Sequence, residues 1–181
     1  MKVVAIVGSL RQESFNRKLA EHIKERYVEK FNLEVLTLDE LPFYNQDVEK
    51  EPPLAVVTFK QKVKEADAVI WVTPEYNGTI PGVLGNAIDW LSRVDQVMVG
   101  KPSWLMGAAT GNLGTVRAQL HLRDIMFSRG ISSPVLQGSD VFVGAAHEKF
   151  DVAGKLVDVQ TIQFIDAAVE NFIQWMEKHY L

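Results

Sequence analysis

The run Ala68-Val69-Ile70-Trp71-Val72 carries no polar side chain at any position. A strand with one wet face alternates apolar and polar residues, whereas an unbroken apolar strand is covered on both faces. Cover on both faces comes from helices laid on a parallel sheet, joined by right-handed crossovers. The rest of the chain supplies that alternation. Strands are expected at Val3 to Val7, Leu33 to Leu38, Ser103 to Ala109 and, with a break near Gly138, Ser133 to Val143. Helices are expected at Arg17 to Lys30, Val56 to Lys64, Gly82 to Arg93, Thr115 to Phe127 and Asp158 to His179. The first places Leu19, Ala20, Ile23 and Tyr27 on one face; the last does so with Ile162, Ile165, Val169, Phe172 and Met176. The expected fold is α/β: a three-layer sandwich, a five-stranded parallel sheet with helices on both faces. At 181 residues it reads as a single domain, 1–181.

In such a sheet ligands bind beyond the carboxyl ends of the strands, where strand order reverses. The loop after the first strand reads Gly8-Ser9-Leu10-Arg11-Gln12-Glu13-Ser14-Phe15-Asn16 and runs into a helix. Ser9, Ser14 and Asn16 offer hydrogen bonds and Arg11 a cationic fork, while the helix start adds free N–H groups and the positive end of its dipole. That set suits a phosphate monoester; the bland alternative is a polar turn with a helix cap from Ser14 or Asn16. Leu10 and Glu13 break the dinucleotide pattern G-x-G-x-x-G, and no Gly-Lys-Ser/Thr follows for a triphosphate loop.

The loop after the third strand, Thr73 to Gly82, is stiffened by Pro74 and Pro81, while Gly78 permits close approach or positive φ. Tyr76 and Asn77 are expected to present an aromatic face and an amide to a flat heterocycle. After the fourth strand, Thr110-Gly111-Asn112-Leu113-Gly114-Thr115 brackets Asn112 with glycines, a weak signal by itself. The segment Leu41 to Pro53, with three prolines, three acids and two aromatics, reads as a long functional loop.

Several chemistries are excluded. With no cysteine there is no thiolate nucleophile, disulfide, or Cys-ligated zinc or iron–sulfur cluster. His22, His121, His147 and His179 lack metal spacing and read as surface or packed residues. Ser9 lacks the G-x-S-x-G context of a nucleophile elbow. Asp89 and Arg93, four apart on a helix, are expected to pair, and Trp71 and Trp90 to lie in the core. A net charge of −4, from 19 basic and 23 acidic residues, does not favour nucleic acid as partner. The apolar run at the start is too short for a signal peptide, and no stretch approaches the roughly 20 residues of a membrane span. A soluble, cytoplasmic protein is expected.

The chain resembles the NADPH-dependent FMN reductase family, the flavodoxin-like group that includes quinone, azo-dye and chromate reductases. The resemblance is carried by Gly8-Ser9-Leu10-Arg11 with Ser14-Phe15-Asn16, by Thr73-Pro74-Glu75-Tyr76-Asn77-Gly78 with Ile80-Pro81, and by Asn86-Ala87-Ile88-Asp89-Trp90-Leu91-Ser92-Arg93. Leu41 to Asp47 is similar to the family's variable second loop. The resemblance implies a bound FMN, with NADPH (or NADH) as co-substrate. Ser9, Arg11, Ser14, Phe15 and Asn16 would hold the phosphate; Pro74, Glu75, Tyr76, Asn77 and Gly78 the ring and ribityl region; Thr110, Gly111 and Gly114 would lie beyond the ring. It implies a small-molecule electron acceptor (a quinone, azo compound, metal ion or free flavin) and no dedicated proton donor. It also implies a homodimer or tetramer, in which the loop at Phe43-Tyr44-Asn45 approaches a neighbour's flavin. Where tetrameric members often carry Tyr before His-Leu-Arg, this chain has Leu120. Two rivals stand beside this reading: a flavodoxin-type electron carrier and a cofactor-free regulatory module.

Overall fold

A computed structural model describes residues 1–181. Strands β1 (Lys2–Val7), β2 (Asn32–Leu36), β3 (Ala68–Val72), β4 (Ser103–Ala108) and β5 (Val141–Val143) form one sheet in the order β2-β1-β3-β4-β5, all neighbours parallel. The connecting helices are α1 (Phe15–Arg26), α2 (Leu54–Glu65), α3 (Gly82–Leu91), α4 (Val116–Met126), the short α5 (Ala146–Lys149) and α6 (Val159–His179). The period-two alternation of side chains divides β1 between two cores. Val3, Ala5 and Val7 join Leu19 and Ile23 of α1 and Ile165, Val169 and Phe172 of α6. Val4 and Ile6 join Phe59 of α2, Leu84 and Leu91 of α3 and Leu122 of α4. All of β3 is buried, as its unbroken apolar run requires. This is the flavodoxin-like three-layer sandwich. No helix is long and apolar enough to cross a membrane.

The tryptophans expected in the core are there, each with its indole N–H matched. Trp71 donates to Ser103 Oγ and Trp90 to the carbonyl of Pro42, both at 2.9 Å. Other expectations are corrected. The fifth strand keeps only three residues of the expected span: the break near Gly138 is present, at a φ of +71°, and before it the Ser133 amide bonds to the Met126 carbonyl at 3.0 Å and not to a strand. One bridge, between Ser103 and Val135, is what remains of the earlier part. Helix α1 starts at Phe15 and stops at Arg26, where the Tyr27 amide closes its end on the Ile23 carbonyl.

Asp89 and Arg93 do not pair. Arg93 instead reaches back to the segment 41–53, its Nε donating to the Tyr44 hydroxyl at 3.2 Å and its guanidinium 5.4 Å from the Tyr44 ring centre. Asn86 completes the clasp: its Nδ2 donates to the Pro42 carbonyl at 2.9 Å and its Oδ1 accepts from the Tyr44 amide at 2.7 Å. Between these pinned residues Phe43 stands 85% exposed.

Gly107 of β4 shows how closely the strand ends are packed. A Cβ there would fall 2.0 Å from Thr115 Oγ1 and 2.3 Å from the Thr73 carbonyl oxygen. Gly107→Ala must move backbone, so the expected loss of stability is at the upper end of the roughly 1–3 kcal/mol typical of overpacking. Urea denaturation of the apo-protein checks this; an unchanged midpoint would mean that β4 does not meet those two threonines.

Candidate functional site

The first loop leaves β1 with the Gly8 amide bonded to the Val72 carbonyl at 2.9 Å, so it starts against β3. Ser14 caps α1, its Oγ accepting from the Arg17 amide at 3.3 Å. The first helical bond runs from the Lys18 amide to the Ser14 carbonyl, and the amides of Phe15 and Asn16 have no partner within the chain. Free amides at the positive end of a helix form an anion seat. Charge is arranged to match. Lys18 is held by Glu13 at 2.7 Å, and no carboxylate pairs with Arg11, whose guanidinium lies 5.8 Å from the Phe15 ring centre.

The second loop is a two-residue hairpin. Tyr76 and Thr79 exchange backbone bonds of 3.0 and 3.1 Å, with Asn77 and Gly78 at φ of +55° and +74°. Positive φ at both central positions is the type I′ pattern for which Asn-Gly is the favoured sequence. One oxygen of Glu75 is engaged within the chain: its Oε2 accepts from the amides of Arg117 at 3.0 Å and Ala118 at 3.3 Å, so it caps α4 from a distance. The hairpin tip projects, and Tyr76 is half exposed beside the cleft.

The third loop follows β4. Gly114, at φ +63°, is needed because a Cβ would fall 3.0 Å from the backbone of Phe142. The Gly111 carbonyl accepts from the Ala145 amide at 3.2 Å. Gly114 therefore packs the turn against β5 itself, and Gly111 ties it to the segment after β5.

A cleft of about 150 Å³ lies where these loops meet. Ser9, Arg11, Ser14, Phe15, Asn16, Pro74, Glu75, Tyr76 and Thr110 line it, together with Ala108 and Ala109. Of the residues singled out in the sequence, Asn77, Gly78, Gly111 and Gly114 lie outside its walls. Ala108 and Ala109 were missed, although the carboxyl-end rule pointed at the end of β4 and not only at the turn beyond it. Asn16 is in the wall, but its amide is spent internally. Its Nδ2 donates to the Ala108 carbonyl and its Oδ1 accepts from the Ala108 amide, each at 2.9 Å.

A larger hollow of about 450 Å³ opens between the end of β2 and α2. Of its charged groups, Lys62 and Asp39 are already engaged. Lys62 pairs with Glu34 at 2.8 Å, and the Thr37 hydroxyl and a backbone amide hold Asp39 below the usual carboxylate range. The smaller cleft brings unpaired donors to one point, which a binding site requires. A phosphate monoester fits the amides of Phe15 and Asn16 with Arg11, and a planar polar-edged ring fits the wall from Pro74 to Tyr76 and Ala108 to Thr110. No group of three His, Asp or Glu side chains is placed to hold a metal ion.

The family model for NADPH-dependent FMN reductase matches residues 1–148. The chain is similar to NADH-dependent flavin reductase subunit 2 of Lactobacillus johnsonii, with 39% identity covering 98% of each chain. It is similar to a quinone reductase of Pseudomonas putida, with 37% identity over 97% of this chain and 94% of the relative. Among solved structures it superposes on FerB, the flavoenzyme NAD(P)H:(acceptor) oxidoreductase of Paracoccus denitrificans, with a TM-score of 0.90, 31% identity and 99% of both chains covered. A family match over most of the chain and near full-length relatives agree with the cleft's chemistry: this chain belongs to the NADPH-dependent FMN reductase family, an enzyme family that uses FMN with NAD(P)H.

Proposed function

We propose that the chain passes two electrons from NADPH or NADH, through FMN held in the 150 Å³ cleft, to a quinone, azo compound, metal ion or free flavin. The observation that carries this reading is the unpaired Arg11 beside the unpaired amides of Phe15 and Asn16 at one end of the cleft. When bound, FMN supplies the hydride acceptor and donor, so the chain needs no acid–base pair of its own. Its residues bind and orient. Arg11 and the start of α1 take the phosphate, with Ser9 and Ser14 shaping the turn. Pro74, Tyr76 and Thr110 hold the ring region; Asn77, Gly78, Gly111 and Gly114 keep their loops in shape around it.

Arg11→Ala removes a charge-assisted contact worth roughly 1.5–3 kcal/mol, or about a 10- to 150-fold loss of FMN affinity. Riboflavin, which lacks the phosphate, should bind wild type and variant alike. Equal losses for the two ligands in titrations of the apo-protein would remove Arg11 from the phosphate site. Steady oxidation of NADH or NADPH by the isolated holoprotein separates the enzyme from a flavodoxin-type carrier, and a yellow preparation dismisses the cofactor-free module.

Ala109 and Thr110 back the cleft, and in this reading one face of the bound ring is left to both donor and acceptor. They must then take turns. Double-reciprocal plots of NADPH at several acceptor levels should be parallel; intersecting lines would mean separate seats for the two.

The clasp that presents Phe43 supports a homo-oligomer, at least a dimer, with α3 and the segment 41–53 near the contact. An aromatic side chain held rigidly in water is a surface waiting for cover. Light scattering after size exclusion should give at least twice the chain's 20.3 kDa at micromolar concentration. A monomer there would overturn the oligomer. A cytoplasmic location, with neither nucleic acid nor membrane as partner, belongs to the same proposal.

A further inference from the structure

One histidine does more than its sequence position suggests. His121 lies on the exposed side of α4, yet its Nδ1 meets the hydroxyl of Thr79, the closing residue of the hairpin that walls the cleft. That hairpin has a single pair of backbone bonds, Tyr76 to Thr79 and back. Isolated hairpins are marginal in water even when longer, so its position depends on outside supports.

Beside the packing of Ile80 on the core, three supports come from α4. Glu75 grips the amides of Arg117 and Ala118. The Arg117 side chain lies under Gly78, where a Cβ would sit 3.7 Å from its Cδ. His121 holds Thr79. Arg117 and His121 are one turn apart on the helix, so they meet successive points of the hairpin on the same face. Glu75 fixes the start of the loop, Arg117 its tip and His121 its return. Loss of the last support loosens the Thr79 side of the hairpin, and with it Tyr76, which is bonded to Thr79 and lines the cleft.

We infer that His121 is a positioning residue for the reaction, acting through the Thr79 hydroxyl on the ring end of the cleft. The inference rests on the FMN reading above. Its effect falls on the geometry of transfer and not on phosphate anchoring, because Arg11 and the start of α1 lie on the other loop. Small displacements of reacting groups cost roughly 100-fold per ångström.

The test uses the FMN-loaded protein with His121→Ala, His121→Asn, His121→Gln, Thr79→Val and the double variant His121→Ala with Thr79→Val. Asn places a polar atom near the Nδ1 position, whereas Gln places it near Nε2. Expected are a roughly 10- to 100-fold fall in kcat for His121→Ala and Thr79→Val, and FMN affinity within roughly threefold of wild type, since the phosphate contacts that dominate anchoring are untouched. A changed visible circular dichroism band of the bound flavin is expected with the fall in kcat. Asn should restore most of kcat and the band, Gln should not, and the double variant should be no worse than either single one. Unchanged kcat and dichroism in both single variants, losses that add in the double variant, or equal rescue by Asn and Gln would each overturn the role of His121. If wild type takes up no FMN, the site reading falls and this inference with it.

Discussion

The arrangement of the cleft depends on the pair of hydrogen bonds between Asn16 and Ala108. Strand β3 ends at Val72, opposite Met106, and the Thr73 amide makes its last bond to the Met106 carbonyl. Strand β4 runs two residues further, so the N–H and C=O of Ala108 on that side have no strand to meet. The Asn16 side chain supplies one amide donor and one acceptor in their place, at 2.9 Å each, and is itself only 3% exposed. Leaving two buried backbone groups orphaned costs about 1–3 kcal/mol apiece. The same bonds set the distance between the start of α1, with its anion seat, and the end of β4, with its ring wall. They join residues 92 apart in the chain.

Around that joint the topology places the rest. Order reverses between β1 and β3: the chain leaves β1 for α1 on one face and β3 for α3 on the other. The two loops part and a crevice opens between them, as the carboxyl-end rule for doubly wound sheets requires. The seat's electrostatics follow from one local pairing. Lys18 pairs with Glu13 next to the anion seat, and Arg11 is left without a carboxylate partner. Behind the second loop, α4 serves as a backplate through Glu75, Arg117 and His121.

Much of this was legible in the chain because it is local. The apolar run of β3, the Ser14 cap and the three loops at strand ends depend on neighbours a few residues away. What the sequence hid depends on distant partners. Asn16 reads as a ligand because amides in such loops bind phosphates; only the differing lengths of β3 and β4 turn it inward. Glu75 reads as a ring contact, yet the free amides at the start of α4, 42 residues on, claim it first. Arg93 lies one helical turn from Asp89, but the Tyr44 ring and hydroxyl, 49 residues away, hold it instead. The glycine at 114 is required by the backbone of Phe142, 28 residues on. Each residue type was right for polar or close contact, and the partner was decided by tertiary packing.

The most direct measurement is a crystal structure of the chain with FMN bound. The phosphate is expected on the amides of Phe15 and Asn16 with Arg11 against it, and the Asn16 side-chain amide still joined to Ala108 at hydrogen-bond distance. A flavin held in the hollow beside β2, or an Asn16 side chain turned away from Ala108 to touch the cofactor, would contradict it.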